Sequence, residues 1–401
     1  MKKNSLGNNK EEMIMRKSYF AIIALGALVI ASCQKENSAV LPKVDSPVFT
    51  ATLDTDSDTK TVLDNTGKKS LWNQDHIWIL NGDKDNAGWK KEYQTDATSS
   101  STATFTESNN EVSLGEGPVV AVCPASPAGS AWWNASVDKI VNKLWLKPVQ
   151  TAEAGGYDPE AHIAVAYSET TSLEFKNAVS LLKFTVASDN VTEVCVYANG
   201  EVNAAGGENV LSGNFSFNTE TKKVTTPTGD GISINKYVKV KGTFEKGNTY
   251  YIACLPTKFT SGFTVEVVSK GVKGQDKTTE KVYTLERNKI LDLGTIEYVA
   301  TNKQTVYLYP GPWTRDNAVL SVYYWGDGEG WADFADANGD GLYDAQIPIG
   351  VTKCHYIRSN PAKPQNWDGV WNRYDDLDLT QLNCITVTDN NGFQYSTSKV
   401  E

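Results

Sequence analysis

Arginine is almost missing from this sequence: five occur in 401 residues, and none lies between Cys33 and Arg287. With 38 basic and 48 acidic side chains the formal charge is −10. No basic patch is left to release counterions from a polyanion, which argues against nucleic acid and anionic lipid as partners. Histidine is also scarce. His76, His162 and His355 lie apart among apolar strand residues and read as satisfied strand residues rather than bases or ligands. No HExxH, GxSxG or phosphate loop occurs, and the glycine run 326–330 follows a strand but opens no helix. Acid pairs such as Asp375-Asp376 are plentiful, yet a glycosidase needs two carboxylates in a deep cleft, which small sandwiches rarely supply. The chain therefore reads as a non-enzyme.

Cysteine is sparse as well. Beyond Cys33 an odd five remain, with no CxxC spacing, which argues against a disulfide framework and a zinc site. Cys123, Cys195 and Cys254 sit in apolar strand patterns and read as buried small hydrophobes. Cys354 and Cys384 fall in predicted strands of the last hundred residues, where a bridge between them is the open alternative.

No apolar run reaches the 20 or so residues of a spanning helix. The longest, Tyr19 to Ile30, follows Arg16-Lys17 and ends in Ala31-Ser32-Cys33, the layout of a secretory signal over residues 1–32. Ile30-Ala31-Ser32-Cys33 resembles the lipobox of bacterial lipoproteins. The resemblance implies acylation of Cys33, a membrane partner held through the lipid, and a mature chain near −13. Gln34-Lys35-Glu36 is similar to the export signal that sends lipoproteins of one Gram-negative phylum to the outer face of the outer membrane. Met15, directly before the basic pair, is the expected true start.

What is present is β pattern. After a polar tether over 33–47, short strands punctuated by turn residues run through 48–171 and again through 172–299, with Ala300 to Lys303 as a linker to a last domain over 303–401. The expected class is all-β. Residues 131–146, with Trp132, Trp133 and Trp145, read as a loop crossing the first sandwich.

Thr59-Lys60-Thr61, Leu71-Trp72, Asp75 to Trp78, Leu173 to Phe184, Gly247 to Pro256 and Asn288 to Gly294 together resemble fimbrillin-type surface proteins over about 48–298. The resemblance implies two transthyretin-like β-sandwich domains and, in some members, assembly with other fimbrillin subunits into pili. There a protease cuts after a basic residue and a neighbour donates a strand to the opened groove. With arginine missing, Lys43 and Lys60 are the remaining processing candidates. That loss favours a monomeric surface protein or a terminal subunit over a repeating pilin.

The last domain concentrates the rings. Residues 303–401 carry five of eleven tryptophans and eight of eighteen tyrosines. Strands are expected at Thr305 to Tyr309, Val319 to Trp325, Gly341 to Pro348, Lys353 to Ser359, Cys384 to Thr388 and Phe393 to Thr397. Alternation in Leu320 to Trp325 puts Leu320, Val322 and Tyr324 on a core face and Tyr323 and Trp325 outside, next to Trp331. Two readings fit: a platform for a sugar ring, or rings that fill a small core.

Tyr309 to Trp313, Asp316 to Ala318, Tyr323 to Gly326, Trp331, Asp340 to Tyr343, Arg358 to Pro361, Asn366-Trp367 and Trp371-Asn372 recur in this order in modules resembling starch-binding carbohydrate modules. This implies a glycan site built from Tyr323, Trp325, Trp331, Trp367 and Trp371, with Arg373 where those modules have a side-chain amide. Those modules continue Asn-Gln-Thr where this chain has Asn372-Arg373-Tyr374, so Arg373 weakens the case for α-glucan and admits another, even acidic, glycan. An Arg373–Asp375 surface pair is the plain alternative. Asp336, Asn338 and Asp340, with Asp344, match half of a calcium loop, but Ile347 stands where the bidentate glutamate belongs. A hairpin turn is the preferred reading, calcium the lesser one, and no other cofactor is expected.

Overall fold

The computed structural model describes residues 46–53, 71–81, 89–108, 114, 117–125, 132–133, 139–389 and 391–400. Cys33, Lys43 and Lys60 lie outside these residues. Among the described residues the regular structure is strand, interrupted only by short 3-10 turns, which makes the protein all-β with several stacked sheets. No helix among them is long and apolar enough to cross a membrane.

The first unit is a closed barrel. In order around it run Phe49–Leu53, Ser172–Asn177, Ala164–Ser168, Val119–Cys123, His76–Asn81, Lys90–Gln94 and Thr102–Glu107. Alternation builds it: Phe49, Ala51 and Leu53 point inward while Thr50 and Thr52 face out. Trp72 is wholly buried at its centre, edge-on to Phe105 and Phe175 at 5.1 and 5.2 Å.

Strand Ser172–Asn177, expected to open the second domain, pairs parallel with Phe49–Leu53 and so belongs to this barrel. Conversely Ile140–Leu146 pairs with Ser212–Asn218, and Val149–Thr151 with Tyr237–Lys241. The sheets therefore cross the expected boundary at 171/172. Alternation fixes which face of a strand is buried, not which strand lies beside it. Residues 131–146, expected as a loop, include the strands Trp132–Trp133 and Ile140–Leu146.

The middle of the chain packs a sheet ordered Val149–Thr151, Tyr237–Lys241, Val191–Ala198, Phe263–Ser269 and Val272–Lys273 against one of Thr249–Cys254, Ser180–Val186 and Ile290–Ile296. Phe184, Val194, Val196, Ile252 and Val265 fill the space between them. In Phe263–Ser269 six of seven residues are buried, so both faces are covered.

The last hundred residues cover the outer one. There Cys195, Tyr197 and Tyr237 form a small buried cluster. Lys239 lies 2.5 Å from Asp340 and 3.0 Å from Glu193, which also holds Lys241 at 2.8 Å. Lys273 lies 2.5 Å from Glu266, 3.5 Å from Asp344 and 3.9 Å from Asp276. Tyr307 donates its hydroxyl to the Gly271 carbonyl, and the Lys273 amide donates to Thr305 Oγ1. What read as a linker at 300–303 is thus flanked by a built junction.

The terminal unit is a two-sheet sandwich. One sheet runs Tyr343–Pro348, Lys303–Tyr309, Cys384–Val387, Tyr395–Ser398; the other runs Gly330–Asp333, Val319–Gly326, Val351–Ser359, Val370–Asp378. Val306, Leu308, Trp313, Val322, Ile347 and Tyr356 form its core. The last strand is Tyr395–Ser398, two residues later than expected, and Gly330–Asp333 and Val370–Asp378 are additional. Cys354 and Cys384 sit on opposite sheets as free, buried thiols, so the alternative of a bridge is dropped.

Candidate functional site

The outer face of the second terminal sheet carries the rings. Pairing places Tyr323 between Trp331 on one neighbouring strand and His355 on the other, and Trp325 opposite Lys353. Side chains on one face of adjacent strands stand about 5 Å apart, so sequence positions 8 to 32 residues distant become neighbours. Tyr323 meets Trp331 at 5.1 Å between ring centroids and Trp325 at 5.9 Å; Trp325 meets His355 at 4.5 Å.

Trp367 arrives from a loop. Asn366 accepts from the Asp368 amide and caps a 3-10 turn, Trp367–Gly369, while the Asn360 amide donates to the Gly369 carbonyl and Gln365 donates to Asp333. These bonds bring Trp367 to 4.8 Å from Tyr323, 5.1 Å from Trp331 and 5.9 Å from His355. Trp367 is 44% exposed, and Tyr323, Trp325 and Trp331 are partly so. The rings are tilted by 30° to 72° against one another, so they make a folded wall rather than a flat shelf.

Trp371 is exposed but belongs elsewhere: the Arg358 guanidinium sits 4.7 Å from its ring, held by the Trp313 and Arg315 carbonyls and by Asp316. Arg373 approaches Trp367 at 5.7 Å and is paired with Asp375 through two contacts. At 42% exposure this is a surface pair, and its net worth is small.

His355, read from the sequence as a satisfied strand residue, stands among the rings. Its Nδ1 accepts from the Asp376 amide at 3.1 Å and lies 3.1 Å from Asp375 Oδ1. Burial lowers its pKa, partly countered by Asp375 and then opposed again by Arg373. The alternation in Val351–Ser359 places His355 outward; only the loop bearing Trp367, which periodicity does not position, makes it part of a group. Glu329, in the glycine turn, accepts from the Tyr323 hydroxyl.

The half calcium loop is closed by its own backbone. Asp336 accepts from the Asp340 and Gly341 amides, Asn338 from Asp340, and Asp340 from Leu342, while Asp340 and Asp344 reach Lys239 and Lys273. Among the described residues no three His, Cys, Asp or Glu side chains converge as a metal group. The carboxylates that spacing offers to calcium are spent on turn amides and lysines.

No protein-family model matches the chain, and no curated protein matches it. Among solved structures it is similar to a candidate cell-adhesion protein of Bacteroides ovatus, at 16% identity over 63% of this chain and 93% of that one, with a TM-score of 0.35. A second candidate cell-adhesion protein, from Bacteroides uniformis, shares 15% over 62% and 93%, also at 0.35. The tip fimbrial protein Mfa3 of Porphyromonas gingivalis shares 11% over 62% and 96%, at 0.29. At these values the likeness carries no functional weight.

Proposed function

We propose that the chain is a non-catalytic surface adhesin that binds glycans by ring stacking, lipid-anchored through Cys33 at the exterior of the outer membrane. One observation carries the reading: Tyr323, Trp325, Trp331 and Trp367, drawn from two strands and a loop, gather on an outer sheet face with ring surface left to solvent. A pyranose offers an apolar face of axial C–H groups. Covering it with an indole contributes about 1 kcal/mol by area, and Asn, Gln and Arg at the rim supply donors for hydroxyls. The resemblance of 303–401 to carbohydrate modules and of 48–298 to fimbrillin-type proteins points the same way, with the tip of a pilus as one location. Replacing Trp325 by Ala is expected to abolish the retardation of the full chain in a native gel containing its polysaccharide, with the melting temperature kept. Unchanged retardation would sink the reading.

A second reading, a structural fimbrial subunit or anchor joined to other subunits by strand donation, rests on a different feature. Phe49–Leu53 is bonded on both sides, parallel to Ser172–Asn177 and antiparallel to Thr102–Glu107, with three side chains in the core. Excising it would leave a slot of one strand's width. This reading expects detergent-resistant ladders on cells that vanish when Lys43 and Lys60 are both replaced; wild-type cells without ladders would refute it.

A further inference from the structure

Within the ring cluster, beside the indole N–H groups at the ring edges, one imidazole has a donor to spare. His355 lies 4.5 Å from Trp325, 5.9 Å from Trp367 and 6.3 Å from Tyr323, nearly parallel to the last at 15°. Its Nδ1 accepts from the Asp376 amide, while Asp375 Oδ1, also 3.1 Å away, is not placed to hydrogen-bond with it. In a neutral imidazole that bond fixes the tautomer: the proton sits on Nε2. Burial holds the ring neutral, since it penalises the charged form. Nε2 meets no hydrogen-bond partner among the described residues and is not shut away from solvent. The result is an N–H donor set among apolar ring faces, the arrangement in which a few polar groups fix a ligand's orientation while apolar surface binds it.

The surrounding charge adds a second constraint. Glu329 touches Tyr323, Asp333 holds the loop of Trp367 through Gln365, and Asp375 and Asp376 flank His355. Arg373 is neutralised by Asp375, and Lys353 stands opposite Asp378. The rim is thus net acidic, and a carboxylated or sulfated sugar would meet like charge.

We propose that His355 selects the ligand: its Nε2–H orients a neutral pyranose on the ring cluster by donating to a ring or hydroxyl oxygen, while the acidic rim turns anionic sugars away. The proposal rests on the glycan-binding reading and replaces the expectation that Arg373 admits an acidic glycan.

The test is affinity electrophoresis of the purified full chain in gels of neutral polysaccharides (glycogen, mannan, xyloglucan, galactan) and anionic ones (polygalacturonate, chondroitin sulfate). At least one neutral gel is expected to retard the wild type, and neither anionic gel. His355→Phe, which keeps an aromatic ring and loses the donor, is expected to weaken binding about fivefold or more, one uncharged hydrogen bond's worth. His355→Gln, which restores an N–H at similar reach, is expected to recover most of it. Binding unaffected by His355→Phe, while Trp325→Ala still abolishes it, overturns this proposal and leaves the glycan reading standing. Stronger retardation by an anionic gel also overturns it. A wild type retarded by no gel removes both.

Discussion

Lys273→Met is expected to destabilise the chain in alkaline buffer, where Glu266 and Asp344 are ionised, by about 3–5 kcal/mol, the cost typical of leaving a buried carboxylate without its cation. Lys273 is 11% exposed, Glu266 8% and Asp344 18%, so water cannot take over the lost solvation. Removing Glu266, the most buried of its partners, along with the lysine is a different experiment. Lys273→Met combined with Glu266→Leu is expected to recover a large part of the loss, because apolar pairs of matching volume often do as well as buried ion pairs. Urea unfolding followed by tryptophan fluorescence measures both. A single variant as stable as the parent would mean that the junction opens to water and that the lysine is merely adjacent. Lys239→Met, between Glu193 and Asp340, is expected to behave alike.

The second large effect concerns pH, where two buried groups act in opposite directions. His162 is fully buried and stacked 4.7 Å from Tyr157, and neither ring nitrogen meets a hydrogen-bond partner. Burial pushes its pKa down to about 3. The unfolded chain, with an ordinary imidazole near 6.5, binds the proton first. Stability from His162 is therefore present above pH 6.5 and is lost as pH falls, by about 2 kcal/mol from 6.5 to 5.

Glu266 runs the other way. Burial, only partly offset by Lys273, pushes it up to about 7, above its ordinary 4.5. The folded chain binds this proton first, so acidification from 7 toward 4.5 adds stability, at about 1.4 kcal/mol per pH unit. Asp276 and Asp344 shift in the same sense by burial, and His355 adds to the side of His162. The parent is expected to be nearly flat between pH 7 and 5. His162→Phe should be more stable at pH 5 than at 7, and Glu266→Gln less stable, each by about 2 kcal/mol. Two variants that keep the parental profile would refute both assignments.

Period-two alternation made much of this legible. Phe49, Ala51 and Leu53, and Leu320 and Val322, are where the pattern puts them, and Tyr323 and Trp325 share the outer face. What alternation cannot carry is partnership. Lys239, Glu266 and Lys273 look like solvent-facing residues of half-buried strands, and they are buried because a segment 70 to 100 residues later covers that face. Val370–Asp378 is rich in charge and has weak strand propensity, so pairing with Val351–Ser359 makes it a strand. Gly330–Asp333 was hidden by the glycines before it. Asp336, Asn338 and Asp340 show the converse case, in which a ligand-like spacing serves turn closure and docking.

That docking fixes a direction. With two lysines clamped across it and a tyrosine hydroxyl and a backbone amide bonded over it, the terminal sandwich cannot swivel on residues 300–303 as a bead on a string would. Every copy would hold its aromatic wall at the same attitude to the body beneath. A pull on that wall would pass as torque into the sheet of Val191–Ala198 and Phe263–Ser269 instead of being absorbed by a slack joint.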